Sequence, residues 1–181
     1  EVFDAIKLHF TSDDVVLFKG VTSSGKTEIY LKLIEEHLEK QQQILYLLPE
    51  IALTTQLIQR IKSQFGDKVL VYHSKYSANE RVEIYRHVLS AASAQIIVGT
   101  RSSIFLPFKN LKLVIVDESH ENSYKQFDPS PRYHARDTAV VLASIHQAKV
   151  LMGSATPSLE SFYNVKEGKF KGTATEGPEY E

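Results

Sequence analysis

Val15-Val-Leu-Phe-Lys19 runs into Gly20-Val-Thr-Ser-Ser-Gly25-Lys26-Thr27, and a segment of helical spacing follows. The pattern Gly-x-x-x-x-Gly-Lys-Thr works as a phosphate-binding loop when a strand precedes it and a helix follows. Both flanks are present here, which argues against a plain Gly/Ser turn. Gly20 and Gly25 allow backbone φ values that other residues resist. The amides of Thr22, Ser23 and Ser24 can then turn inward toward phosphate oxygens, and the helix beginning near Gly25 adds its positive end. Lys26 supplies a point charge for β- and γ-phosphates, and Thr27 a hydroxyl ligand for Mg²⁺.

The rest of the chain continues the same alternation. Short runs rich in Val, Ile and Leu predict strands near 15–19, 44–48, 69–72, 95–99, 112–116 and 149–153. They are almost continuously apolar, as strands covered on both faces are. Between them, Ile29, Leu33, Ile34 and Leu38 recur at helical spacing over 26–40, and Leu53, Leu57, Ile61 and Phe65 over 52–65, where Gly66 ends the helix. Ser77-Ala-Asn-Glu80 is a capping box for a helix to about residue 92. Thr156-Pro157 reads as an N-cap followed by proline at the first helical position. Strands alternating with helices predict an α/β fold, a mostly parallel sheet with helices on both faces.

The 181 residues suit one well-cored domain. Apolar spacing fades after Gly168, so 169–181 is expected to be a disordered tail, leaving 1–168 as the domain. Val2 to Ile6 resembles the end of an amphipathic helix, and both termini suggest a piece of a longer protein. There is no cysteine, which excludes disulfides and Cys-ligated zinc. The seven histidines show no metal-ligand spacing. No apolar run approaches the roughly 20 residues that span a bilayer, and the opening Glu-Val-Phe-Asp is unlike a signal peptide. No membrane association is expected, and a cytoplasmic location is. The formal net charge of −1 means that any nucleic-acid contact uses a local patch.

Leu111-Lys-Leu-Val-Ile-Val116 ends in Asp117-Glu118. A carboxylate at the end of such a strand can hold Mg²⁺. Because successive strand residues point to opposite sides, Glu118 is expected not to crowd Asp117. It can act as general base on an attacking water. His120 completes Asp-Glu-x-His and could bond toward Gly153-Ser154-Ala155-Thr156. Ser154 and Thr156 would then report on the nucleotide. Taken alone, His120 also fits a helix cap or a surface position.

The ordered set G-V-T-S-S-G-K-T, L-P-E-I-A-L-T, G-T-R-S-S-I-F, D-E-S-H and G-S-A-T-P-S resembles superfamily 2 helicases of the D-E-x-H type. With S-Y-K-Q and P-R-Y-H-A-R-D after D-E-S-H, the wording is similar to the bacterial primosomal helicases that restart stalled replication forks. The resemblance covers residues 3–168. It implies the first of two RecA-like P-loop NTPase domains in a 3'-5' DNA helicase. Lys26, Asp117, Glu118 and His120 would be catalytic, with MgATP bound through Thr27 and Asp117. Ser154 and Thr156 would couple hydrolysis to movement. Segments 49–54 and 99–101, with Thr54, Thr100 and Arg101, would touch the DNA backbone. The stretch 123–137 would link DNA contact to the ATP site. Implied partners are forked or single-stranded DNA, the second RecA-like domain, single-strand-binding protein and primosome proteins.

That stretch supports the reading by its own chemistry. Tyr124, Lys125, Phe127, Arg132, Tyr133, His134 and Arg136 interleave rings that stack on bases with cations that meet phosphates. Pro129 and Pro131 keep it out of regular helix. A proline-rich surface loop with its aromatics tucked into the core is the other reading, and Arg101 also suits an ion pair at a strand end.

The chain departs from the family at Ser119, where glutamate is common, and at Ser23, where glycine is frequent. It has no glutamine before Gln41 to read adenine. The second domain's arginine finger, worth about 10³–10⁵ in rate in P-loop enzymes, and the family's zinc-binding cysteines are not in these residues. The isolated chain is therefore expected to bind nucleotide weakly, hydrolyse it poorly and not unwind DNA. A small-molecule kinase, a GTPase or a non-catalytic interaction module would be the alternatives. A kinase would lack both D-E-x-H and S-A-T, and a GTPase would carry an Asn-Lys-x-Asp guanine reader, which the sequence does not have.

Overall fold

The computed structural model describes residues 2–21, 25–50, 52, 55–90 and 94–174. Strands β1 (Val15–Lys19), β2 (Gln43–Leu47), β3 (Val69–Tyr72), β4 (Gln95–Gly99), β5 (Leu111–Val116), β6 (Lys149–Ser154) and β7 (Lys171–Ala174) form one sheet. Their order is β3-β4-β2-β5-β6-β1-β7, and every pairing is parallel. Parallel neighbours need crossovers, and helices supply them. In chain order the helices are α1 (Val2–Ser12), which precedes β1, then α2 (Lys26–Glu39), α3 (Thr55–Phe65), α4 (Ala78–Leu89), α5 (Ala135–His146) and α6 (Leu159–Lys166).

Alternate strand residues point to opposite faces, and each face buries its own core. Val16, Phe18, Ile44, Tyr46, Ile96, Val98 and Ile115 pack with Ile6 of α1, Tyr30, Leu33 and Ile34 of α2 and Ile61 of α3. Leu17, Leu45, Leu47, Ile97, Val114, Val116 and Met152 pack with Val88 of α4 and Ala135, Ala139 and Ala143 of α5. Helices on both faces are what the continuous apolar strands require. Register then aligns the strand ends: Lys19 pairs with Ser154, and Val116 with Met152. The segments after β1, β5 and β6 therefore emerge side by side. The chain runs from β1 to a strand on the far side of β5 and β6, so this crevice lies where the strand order reverses, the usual place for a ligand in such sheets.

The capping box is present. Glu80 N donates to Ser77 Oγ at 3.3 Å and Ser77 N to Glu80 Oε2 at 2.8 Å, and the helix runs to Leu89. Four expectations are corrected. Helix α1 does not end near Ile6 but continues to Ser12, because Phe10 as well as Val2 and Phe3 packs on the core. Helix α3 starts at Thr55 rather than 52; Leu53 lies outside the described residues. Helix α6 is capped by Ser158, not Thr156: Ser158 Oγ accepts from Ser161 N at 3.2 Å, so Pro157 precedes the cap. Residues 171–174 are strand rather than disordered tail. β7 pairs with the open edge of β1 and satisfies backbone groups there, although its residues carry little apolar character. Residues 175–181 lie outside the described residues. Among the described residues no helix is long and apolar enough to cross a membrane.

Candidate functional site

Gly25 stands at φ +82°, a conformation that glycine takes at little cost, and α2 starts at the next residue. A Cβ there would meet nothing within 4 Å, so the requirement is for backbone angle and not for space. The loop is pinned at its start, where Gly20 N donates to Ser154 O at 3.0 Å. Lys26 turns its buried amine inward, 2.9 Å from Gly20 O and 3.3 Å from Glu118 Oε1. Thr22, Ser23 and Ser24 lie outside the described residues.

Asp117 N continues the sheet ladder by donating to Leu47 O at 3.0 Å. Its carboxylate is held by the protein. Oδ1 accepts from Tyr30 OH and from Glu118 N, each at 3.0 Å, and Oδ2 accepts from Tyr46 OH at 3.3 Å. Burial pushes Asp117 above the usual carboxylate range and the Glu118 charge adds to this, while Tyr30, the Glu118 amide and Lys26 pull partly back. Glu118 is set apart from Asp117 by a different device from the expected one. It has left the strand and stands in the left-handed region at φ +46°. That turn sends its carboxylate toward Lys26 and to 3.5 Å from His120 Nδ1.

His120 Nδ1 lies 2.8 Å from the Oγ of buried Ser154, so the Asp-Glu-x-His turn meets the end of β6 as expected. Thr156 joins through its backbone, whose N–H donates to Ser154 Oγ at 3.1 Å. Its exposed side chain is not where the hydroxyl pair was expected to act.

A cleft of about 480 Å³ opens over these groups, lined by Gly25, Lys26, Thr27, Glu28, Arg60, Asp117 and Glu118. The residues fit a magnesium nucleotide. A left-handed glycine and a helix N-terminus face the cleft beside one buried cation, which suits phosphates. Mg²⁺ is commonly bound by one or two carboxylates, with substrate phosphates and waters completing the shell. Asp117 and the Thr27 hydroxyl are such a donor set, and no all-protein cage of three or more His, Cys, Asp or Glu occurs among the described residues. The sequence reading missed Tyr30, Tyr46 and Arg60. Tyr30 was within reach, since it stands four residues after Lys26 and shares its helix face. Tyr46 and Arg60 come from β2 and α3, and only the fold brings them here; Arg60 pairs with Glu28 at the rim.

The candidate DNA-contact residues divide. Lys125 and His134 form an antiparallel bridge, and Gln126 N donates to Tyr133 O at 2.8 Å, closing residues 126–133 into a loop. Within it Phe127 is 61% exposed, with Lys125 Nζ 4.8 Å from its ring centroid. Arg132 is exposed, and half-buried Tyr133 stands edge-on to Phe105. Arg101 donates to the carbonyls of Ser123 and Lys125 at 3.2 Å each and so braces this loop, with no ion pair of its own among the described residues. Thr100 is buried beside it, its Oγ1 without a partner among the described residues. Two expectations are corrected. Tyr124 is 1% exposed, its hydroxyl 3.1 Å from Leu47 O, so its ring has no free face for a base. Arg136 is 7% exposed and ties α5 to α6 through Glu160 at 2.8 Å, with Asp137 at 2.9 Å, so its charge is already matched. Thr54 lies outside the described residues.

The sheet, the loop and the paired carboxylates define a RecA-like NTPase domain, and the chain belongs to the DEAD/DEAH box helicase family, which matches residues 2–165. Its similarity is to a particular member, Replication restart protein PriA. It is 52% identical over 158 residues to PriA of Haemophilus influenzae, covering 87% of this chain and 21% of that protein. It is 46% identical over 167 residues to PriA of Rickettsia felis, covering 92% of this chain and 26% of that protein. The chain thus spans about a quarter of the length of these relatives. The E. coli DExH-box NTPase HrpB shares the fold, with a TM-score of 0.66 at 18% identity over 97% of this chain and 21% of that one.

Proposed function

We propose that this chain is the ATP-binding half of a PriA-like DNA helicase motor that works in replication restart. The observation that carries the reading is the meeting of Lys26, Asp117 and Glu118 in one cleft, with the His120–Ser154 pair directly behind it.

In this reading the loop amides cradle the phosphates, and Lys26 exchanges Gly20 O and Glu118 for phosphate oxygens. Thr27 and Asp117 hold Mg²⁺, which when bound neutralises phosphate charge and polarises the transferred group. Glu118, released from Lys26, accepts a proton from the attacking water. His120 and Ser154 carry the state of the site to the chain after β6. Phe127, Lys125, Arg132 and Tyr133 meet unpaired bases and phosphates, on a loop that Arg101 braces from within. The second RecA-like domain of the longer protein supplies the arginine finger. Single-strand-binding protein and primosome proteins are its partners, in the cytoplasm.

The test is ATP hydrolysis by the longer polypeptide, with and without single-stranded DNA and with GTP as competitor. The reading expects DNA-stimulated turnover that ATP supports and GTP does not inhibit equally. Turnover indifferent to DNA, or equal competition by GTP, would point to another P-loop enzyme.

A further inference from the structure

Two tyrosine hydroxyls in the apolar core converge on one carboxylate. Tyr30 comes from α2 and Tyr46 from β2, and both are 0% exposed. Their rings meet edge to face with centroids 5.7 Å apart, and Phe18 stands edge-on to Tyr30 at 6.3 Å. Nothing in such a packed patch needs a hydroxyl; Phe would fill the space without a polar atom to satisfy. Yet each hydroxyl points out of the patch to Asp117, Tyr30 to Oδ1 and Tyr46 to Oδ2. An ionised carboxylate only accepts, so each phenol is the donor in its bond.

A separate observation shows that the fold makes room for one of them. A Cβ on Gly153 would stand 1.7 Å from Tyr30 OH and 2.9 Å from Tyr30 Cζ. Gly153 has no positive φ to explain it, since the positive-φ glycines described are Gly25, Gly66 and Gly168. Its missing side chain is the space that the Tyr30 hydroxyl occupies. Gly153 also accepts from Ser119 N at 2.9 Å and precedes Ser154, the partner of His120.

We propose that Tyr30 and Tyr46 are positioning residues for the metal-binding carboxylate, and that Gly153 is glycine so that Tyr30 can reach it. An ionised carboxylate offers about four acceptor positions. The Glu118 amide and Tyr30 take those of Oδ1, Tyr46 takes one of Oδ2, and one on Oδ2 is left for the cleft. The carboxylate is thereby fixed in one orientation before any metal arrives, in the way that outer hydrogen bonds orient a ligating group. Tyr30 also joins α2, β5 and β6 at one atom.

The inference rests on the nucleotide reading above, and calorimetric titration with ADP separates the two. The 181-residue chain and its Tyr30→Phe, Tyr46→Phe and Gly153→Ala variants are titrated with ADP in excess Mg²⁺ and in EDTA. A hydrogen bond to a charged group contributes about 1.5–3 kcal/mol, so Tyr30→Phe should cut the Mg²⁺-dependent gain in affinity about tenfold or more. ADP affinity in EDTA should be unchanged, and Tyr46→Phe, with the longer bond, should show a smaller loss in the same direction. Gly153→Ala should lose the same gain by displacing the hydroxyl. Combined with Tyr30→Phe it should cost less than the sum of the two, because they act on one contact. An unchanged Mg²⁺-dependent gain in Tyr30→Phe overturns the proposal, as does an equal loss in EDTA, which marks a purely structural role. Full additivity of the two changes overturns the assigned role of Gly153. Absence of ADP binding by the wild type overturns the nucleotide reading itself, and the proposal with it.

Discussion

Lys26 Nζ and Glu118 Oε1 stand 3.3 Å apart, so the cation of the loop is already engaged by the carboxylate that would activate water. A phosphate entering the cleft competes with that pair. Glu118→Gln removes the competing charge and keeps the side-chain shape. The isolated chain carrying it should bind Mg-ADP as well as the wild type or better. In the longer polypeptide the same change should slow ATP turnover by about 10²–10⁴, the usual contribution of a general base. Near-normal turnover would assign water activation to another group.

Ser154→Ala should separate hydrolysis from movement. The hydroxyl meets His120 at 2.8 Å and caps Thr156 N at 3.1 Å, but does not line the cleft. In the longer polypeptide ATP hydrolysis should persist while strand separation falls sharply. Parallel hydrolysis and unwinding assays check this, and equal loss of both would place Ser154 in the chemistry.

Asp117→Asn should stabilise the ligand-free chain. Burial raises the Asp117 pKa above its unfolded value, so its ionised form costs stability. That cost is absent below the unfolded-state pKa and complete once pH exceeds the folded-state value. Thermal melts should therefore show the variant above the wild type at pH 8, with the gap closing as pH falls through the carboxylate range. A gap that widened in acid would contradict the stated cause.

Most of the frame was legible in the residues, and what was hidden depends on pairings distant in sequence. The strands at 15–19, 69–72 and 95–99 form at the expected bounds, because buried parallel strands are written as unbroken apolar runs. β7 was not legible, since Lys171-Gly-Thr-Ala174 gains its structure from the free edge of β1 rather than from its own pattern. The loop, Asp117, Glu118 and the His120–Ser154 contact could be read because their chemistry is tied to local spacing. Tyr124 and Arg136 were misread for the opposite reason. An aromatic or a cation in a proline-rich stretch looks the same whether it faces solvent or a partner far away. The Leu47 carbonyl and Glu160 that engage these two residues become neighbours only on folding.

The two rings once grouped by sequence should therefore part in experiment. Tyr124→Ala empties a core position and should cost about 3–5 kcal/mol of stability. Phe127→Ala, at an exposed loop position, should change stability by no more than about 0.5 kcal/mol. In the longer polypeptide it should weaken single-stranded DNA binding by about 1–3 kcal/mol, the worth of one stacked base. Denaturant unfolding and fluorescence-anisotropy titration read the two effects. A Phe127→Ala protein with unaltered DNA affinity would remove this loop from the interface.

The central claim is that the cleft beside Lys26 is a working nucleotide site, and calorimetric titration of the 181-residue chain with Mg-ADP, run beside Lys26→Ala, tests it most directly. The account predicts weak but saturable one-to-one binding by the wild type and none by a variant that melts at a similar temperature. Equal binding by both proteins, or none by the wild type, would contradict it.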